Sequence, residues 1–195
     1  MDMGLNIVVL YGSVRTERLG IRAARFFVEQ IRKAGHGSVL VDPMEHKLPL
    51  LDKRYKDYAP GKAPKVMEKL SGILAKADAF VIVSGEYNNS IPPALKNLID
   101  HFYPEYAFKP SALVTYSAGP FGGVRNLSNL RAIMGEVGTA SIPPHFPIPK
   151  VQEAFDADGK AADPSSLERA AKFLGVLFWY AQALKEAKKK GLPPE

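Results

Sequence analysis

Five short runs of apolar and β-branched residues, at 5–11, 38–42, 77–84, 111–117 and 139–142, alternate with longer stretches in which apolar residues recur at helical spacing. No other feature constrains the fold as much. Strand, helix, strand is the unit of a parallel sheet, and a strand covered on both faces becomes apolar throughout instead of alternating. Residues 5–11 (Leu-Asn-Ile-Val-Val-Leu-Tyr) have that character. Helical stretches are predicted at 20–34, ending at Gly35, at 65–76, at 91–103 and at 125–137; Pro92 and Pro93 fall in a first turn, where a missing N–H costs nothing. A last helix opens at Asp163-Pro164-Ser165, with Ser165 and Glu168 spaced as a capping box, and stops at Gly191 with Pro193 and Pro194.

Five strands and five helices joined by right-handed crossovers imply an α/β fold: a doubly wound, five-stranded parallel sheet with helices on both faces, in the flavodoxin-like order 2-1-3-4-5. At 195 residues one sizeable core is expected, hence a single domain over 1–195. The first residues lack the basic start of a secretory signal, and no window reaches the roughly eighteen apolar residues of a membrane span, so a cytoplasmic protein without a membrane partner is expected. The absence of cysteine removes disulfides, thiolate metal sites and cysteine nucleophiles, and any redox chemistry must come from a bound cofactor. Of the net charge of +6, residues 185–195 carry four Lys against two Glu. The remaining excess is mild and accompanies no nucleic-acid motif, so no nucleic-acid partner is expected.

Three of the strands run into glycine-bearing corners, and in the order 2-1-3-4-5 these strands are neighbours, so the corners converge at one strand-end site. Gly12-Ser13-Val14-Arg15-Thr16-Glu17-Arg18-Leu19-Gly20 offers a hydroxyl, two guanidinium groups and the amides of a helix start, which suits a phosphate dianion. It is neither a P-loop nor a dinucleotide fingerprint. Glu86-Tyr87-Asn88 supplies a ring and amide groups to a flat heterocycle, and Ser117-Ala118-Gly119 with Gly122-Gly123 lets backbone approach a ligand closely. Taken singly, each corner is equally compatible with ordinary turn chemistry. Between them, residues 43–64 carry four prolines and no period, and read either as a wall of a pocket or partner surface or as a solvated loop anchored at Leu50-Leu51. Asp42, Glu45, His46 and Asp52 match no metal-ligand spacing, and His36, His101 and His145 stand isolated.

Gly12-Ser13-x-Arg15, then Glu86-Tyr87-Asn88-x-Ser90-Ile91-Pro92-x-Ala94-Leu95-Lys96-Asn97-x-Ile99-Asp100, then Ser117-Ala118-Gly119 with Gly122-Gly123-x-Arg125 and Leu130-Arg131 resemble the NADPH-dependent FMN reductase family. That family includes bacterial and fungal quinone, chromate and azo-dye reductases, and the resemblance runs over residues 5–142. It implies that Ser13, Arg15, Arg18, Gly20 and Ile21 surround the FMN phosphate, that Glu86, Tyr87, Asn88 and Asn89 contact the isoalloxazine, and that Ser117, Ala118 and Gly119 lie along the ring edge. Two departures stand out: Gly85 replaces the usual proline, which predicts a looser corner, and Leu19-Gly20-Ile21 replaces a Ser-x-Asn, with Arg18 taking over its contacts.

The resemblance implies an FMN-dependent oxidoreductase with NADPH or NADH as donor: hydride passes to FMN and two electrons then pass to a quinone, free flavin, azo or metal-oxyanion acceptor in a ping-pong cycle. FMN carries the chemistry, so no catalytic side chain is assigned. The rivals are a flavodoxin-type electron carrier and a flavin-bound regulatory protein. The centre of the last helix, 173–181, is apolar nearly all round, which predicts either core packing or a subunit contact through Phe173, Phe178 or Trp179 in a homodimer, with a tetramer as the alternative.

Overall fold

The computed structural model describes residues 4–193. Its five strands, β1 (Asn6–Tyr11), β2 (Gly37–Val41), β3 (Ala79–Gly85), β4 (Lys109–Tyr116) and β5 (Thr139–Ile148), form one sheet in the order β2-β1-β3-β4-β5, every neighbouring pair parallel. The helices are α1 (Gly20–Lys33), α2 (Lys65–Ala75), α3 (Pro93–Asp100), α4 (Leu127–Glu136), the four-residue α5 (Val151–Ala154) and α6 (Ser165–Lys188). Because side chains alternate across a strand, each central strand feeds two cores. Ile7, Val9 and Tyr11 of β1 with Val81 and Val83 of β3 pack under α1 and α6, while Val8, Leu10, Phe80 and Ile82 pack on the opposite face with α2, α3 and α4. All residues of β3 and β4 are buried, as a doubly covered strand requires.

Strand β5 runs past the predicted end at Ile142 to Ile148. Pro143 and Pro144 sit where the β4–β5 register jumps between Ser111 and Leu113, and β5 is an edge strand. An edge with a bulge tolerates residues that cannot donate to a ladder. The start of α6 also differs from expectation. Ser165 is the first helical residue and not a cap: the Asp163 carboxylate, one residue before the Pro164 cap position, accepts the Ser165 N–H at 2.9 Å and pairs with the Ser165 hydroxyl, while Glu168 reaches forward to Lys172 at 2.7 Å. Those bonds to Ser165 lower the Asp163 pKa. Of the residues marking the helix stop, Pro194 lies outside the described residues.

Loop 43–64 is tied down from α3. The Asn97 side chain donates to the Pro49 carbonyl at 2.8 Å and accepts the Leu51 N–H at 3.0 Å, and Tyr55 N–H donates to the His101 carbonyl at 2.9 Å. Its apolar anchors are Leu48, Tyr55 and Tyr58, not Leu50, which is 86% exposed. In α6, Phe173 packs in the core against Phe27 and Phe146, and Phe178 is half-buried against His36. Trp179 points outward, 68% exposed, so of the three residues predicted for a subunit contact Phe173 is spent on the core.

Candidate functional site

Three chain reversals meet at the carboxyl ends of β1, β3 and β4. After β1, Gly12 lies so close to α3 that a Cβ there would stand 2.8 Å from the Leu95 Cβ. The Ser13 side chain follows, buried, with its hydroxyl 3.1 Å from the Tyr87 hydroxyl and accepting the Arg15 N–H at 3.4 Å. Arg18 folds back over the Tyr11 ring at 5.5 Å, donates to the Ser13 carbonyl at 3.3 Å and pairs with the buried Asp42. α1 then starts at Gly20 with no side-chain cap and no acidic residue in its first turn. Among the described residues, the amides of Thr16, Glu17 and Arg18 donate to no protein acceptor, and the Arg15 side chain is exposed. The loop before α1 thus carries unspent donors, although Ile21 and Arg22 of the first turn donate to the Arg18 and Leu19 carbonyls, and the helix start adds the positive end of its dipole.

After β3 the corner is pinned from outside. The Asn126 amide donates to the Gly85 carbonyl at 2.7 Å, the Glu86 N–H donates to the Tyr116 carbonyl at 3.2 Å, and the Glu86 carboxylate accepts the Arg125 N–H at 3.2 Å. The looser corner predicted from Gly85 is therefore held by its neighbours. Tyr87 and Ser90 exchange both backbone bonds across Asn88 and Asn89, whose φ angles are 50° and 65°. Two successive left-handed residues define the tight turn for which asparagine is the best side-chain-bearing choice.

After β4 the backbone itself does the packing. Gly122 and Gly123 have φ of 63° and 74°, and a Cβ on Gly123 would lie 2.7 Å from the Tyr116 carbonyl oxygen. Tyr116 also explains two other glycines. Its ring lies against Gly20 and Gly85, where added Cβ atoms would come within 2.1 Å and 3.0 Å of it. The Tyr116 hydroxyl donates to that of Tyr11 at 3.4 Å, and burial raises the pKa of both phenols, so both stay neutral.

These corners enclose a cleft of about 770 Å³, the size of a cofactor pocket. Ser13, Arg15, Arg18, Gly20, Glu86, Tyr87, Ser117 and Ala118 line it together. Ile21 instead packs on the core; Asn88 and Asn89 form the turn behind Tyr87; the Gly119 carbonyl accepts the Lys150 N–H at 3.0 Å. The lining also includes Tyr116 and, from α5, Val151 and Gln152, which sequence reasoning missed. Tyr116 had a signal in its place at the strand end; a four-residue helix has too little length for a period. No residue of loop 43–64 lines the cleft.

The strand order and the cleft at the switch point define a flavodoxin-like α/β protein. A profile of the NADPH-dependent FMN reductase family matches residues 5–153, and the chain belongs to that family of oxidoreductases. It is 34% identical over 133 residues to an NAD(P)H-dependent FMN reductase of Pseudomonas aeruginosa, covering 66% of this chain and 71% of the relative. A quinone reductase of Escherichia coli is 34% identical over 140 residues, covering 69% and 71%. The flavoenzyme NAD(P)H:(acceptor) oxidoreductase FerB of Paracoccus denitrificans superposes with a TM-score of 0.73 at 22% identity, over 92% of this chain and 98% of that one, a likeness of fold.

Proposed function

We propose that the cleft holds FMN with its phosphate at the first corner and that the protein passes electrons from NAD(P)H to a small acceptor, each visiting the open side of the cleft in turn. One observation carries this reading. The loop leading into the uncapped start of α1, with three undonated amides and the exposed Arg15, offers a dianion both hydrogen bonds and charge, and it opens into a cleft large enough for the rest of the cofactor. When bound, FMN supplies a two-electron acceptor and donor. The chain's part is to bind and orient: Ser13 and Tyr87 steady each other, Glu86 is fixed through Arg125, and Tyr116 fills the floor with a neutral phenol that adds no negative charge below the phosphate. Quinones, free flavin, azo compounds and metal oxyanions are the acceptor classes proposed. A homodimer in contact through Trp179 is part of the same proposal, and a monomeric mass in solution would remove it.

The test is the visible spectrum of the purified protein before and after anaerobic NADPH. A yellow protein that bleaches is expected. A protein that takes up no FMN refutes the site, and one that holds FMN but is not reduced is an electron carrier instead.

A further inference from the structure

Asp42 stands one residue beyond β2, at the carboxyl end of the strand that pairs with β1, and its side chain is almost wholly buried. A carboxylate in that position must be paired, and its partner is Arg18, which reaches across from the first corner. Asp42 is itself rigidly held. Its carboxylate accepts the Met44 N–H at 2.9 Å, and its carbonyl accepts the N–H groups of Glu45 and His46 at 3.0 and 2.9 Å. The same Arg18 nitrogen that meets Asp42 donates to the Ser13 carbonyl at 3.3 Å, with the guanidinium lying over the Tyr11 ring. Arg18 thus bridges a fixed acid and the backbone of the corner through one nitrogen while its guanidinium plane lies over the Tyr11 ring, a stacked placement that a lysine does not reproduce.

We propose that Asp42 is a positioning residue for the anionic end of the ligand. It consumes the charge of Arg18 and, through that side chain, fixes the Ser13 carbonyl, and with it the hydroxyl that receives the Arg15 N–H. Arg15 and the amides of Thr16, Glu17 and Arg18 are then the groups left to meet a phosphate. The two arginines of this corner have different work: Arg15 binds, and Arg18 braces. This inference rests on the reading of the cleft as an FMN site.

A loss confined to the phosphate end distinguishes bracing from general stability, because riboflavin shares every part of FMN except that phosphate. Affinities for FMN and for riboflavin, read from quenching of flavin fluorescence, are compared in the wild type, Asp42→Asn and Arg18→Lys. Each variant is expected to weaken FMN roughly 10-fold, the scale of one charge-assisted hydrogen bond, and to leave riboflavin unchanged. Arg18→Lys keeps the charge and stands in if Asp42→Asn does not fold. Equal losses for both flavins would make the pair merely structural and overturn the inference. So would tighter FMN binding in Asp42→Asn, which would mean that Asp42 competes with the ligand for Arg18. A wild type that binds neither flavin defeats the site reading itself, and this inference with it.

Discussion

The two ends of the sheet carry similar residues and put them to opposite uses. In a parallel α/β sheet the helices start above the carboxyl ends of the strands and finish below the amino ends, so unspent N–H groups gather at one end and unspent carbonyls at the other. At the amino end the carbonyls are used up inside the protein. Lys109, the first residue of β4, donates to the carbonyls of Leu74 and Ala75 at the end of α2 and of Glu105, at 2.7, 2.9 and 2.8 Å. Ser71 donates to the Glu105 carboxylate at 2.7 Å, and Asp78 binds the Asn6 N–H and Lys185. At the carboxyl end one cation, Arg18, is consumed in the same manner, while Arg15 and the first amides before α1 are not. A binding site here is the end of the sheet whose polar groups the fold leaves unfinished.

Substitutions can break or sharpen this contrast. The largest effect is expected from Gly123→Ala, which combines a left-handed backbone with a Cβ 2.7 Å from a carbonyl oxygen; stability in urea should fall by ~3–5 kcal/mol. Unchanged stability would mean that the third corner is not held by backbone contact.

Lys109→Met comes next. It strips the donor from three carbonyls at the closed end and should cost ~3 kcal/mol while leaving FMN affinity alone, both readable by denaturation and flavin titration. Burial, helped by Lys188, lowers the Lys109 pKa from the ordinary 10.5 to about 8. Between those values the unfolded chain binds more protons at this residue than the folded one, so its contribution to stability rises with pH across that window and is flat below it. The gap between wild type and Lys109→Met should therefore be wider at pH 10 than at pH 7; a narrowing gap would show that the three carbonyls hold the ammonium form.

Arg15→Ala acts at the open end. Loss of a charge-assisted hydrogen bond of ~1.5–3 kcal/mol should weaken FMN roughly 10- to 100-fold with no change in melting temperature. A fall in melting temperature without a loss of affinity would make Arg15 a structural residue and remove it from the phosphate site. The smallest effect is a gain. The Tyr106 hydroxyl is buried and, among the described residues, has no partner, so Tyr106→Phe should raise stability by about 1 kcal/mol in a thermal melt.

How far this contrast was legible depended on how local each cue was. The strands announced themselves through β-branched runs, and Ser13, Tyr87 and Ser117 through their places at strand ends, because a strand end in a parallel sheet is a site by topology. Asp42 ended a predicted strand too, but no glycine-bearing corner follows it and it shares no recognisable spacing with its polar neighbours, and its role depends on which side chain of the neighbouring corner reaches it. Val151 and Gln152 were hidden behind Pro143, Pro144 and Pro147, which end a strand by local rules and are tolerated only because β5 is an edge. Gly20 and Gly85 were visible as glycines, yet the reason for them, the Tyr116 ring packed against both, lies on another strand.

The sequence by itself determined the alternation of strands and helices and the three corners, because apolar periodicity and glycine placement are written within a few residues of the structure they cause. Only the tertiary structure decided which charges remain for a ligand. Arg15 and Arg18 are three residues apart in one corner, and nothing local separates a binding arginine from a bracing one. The difference is Asp42, 24 residues beyond Arg18 in the chain and brought to it only when β2 pairs with β1.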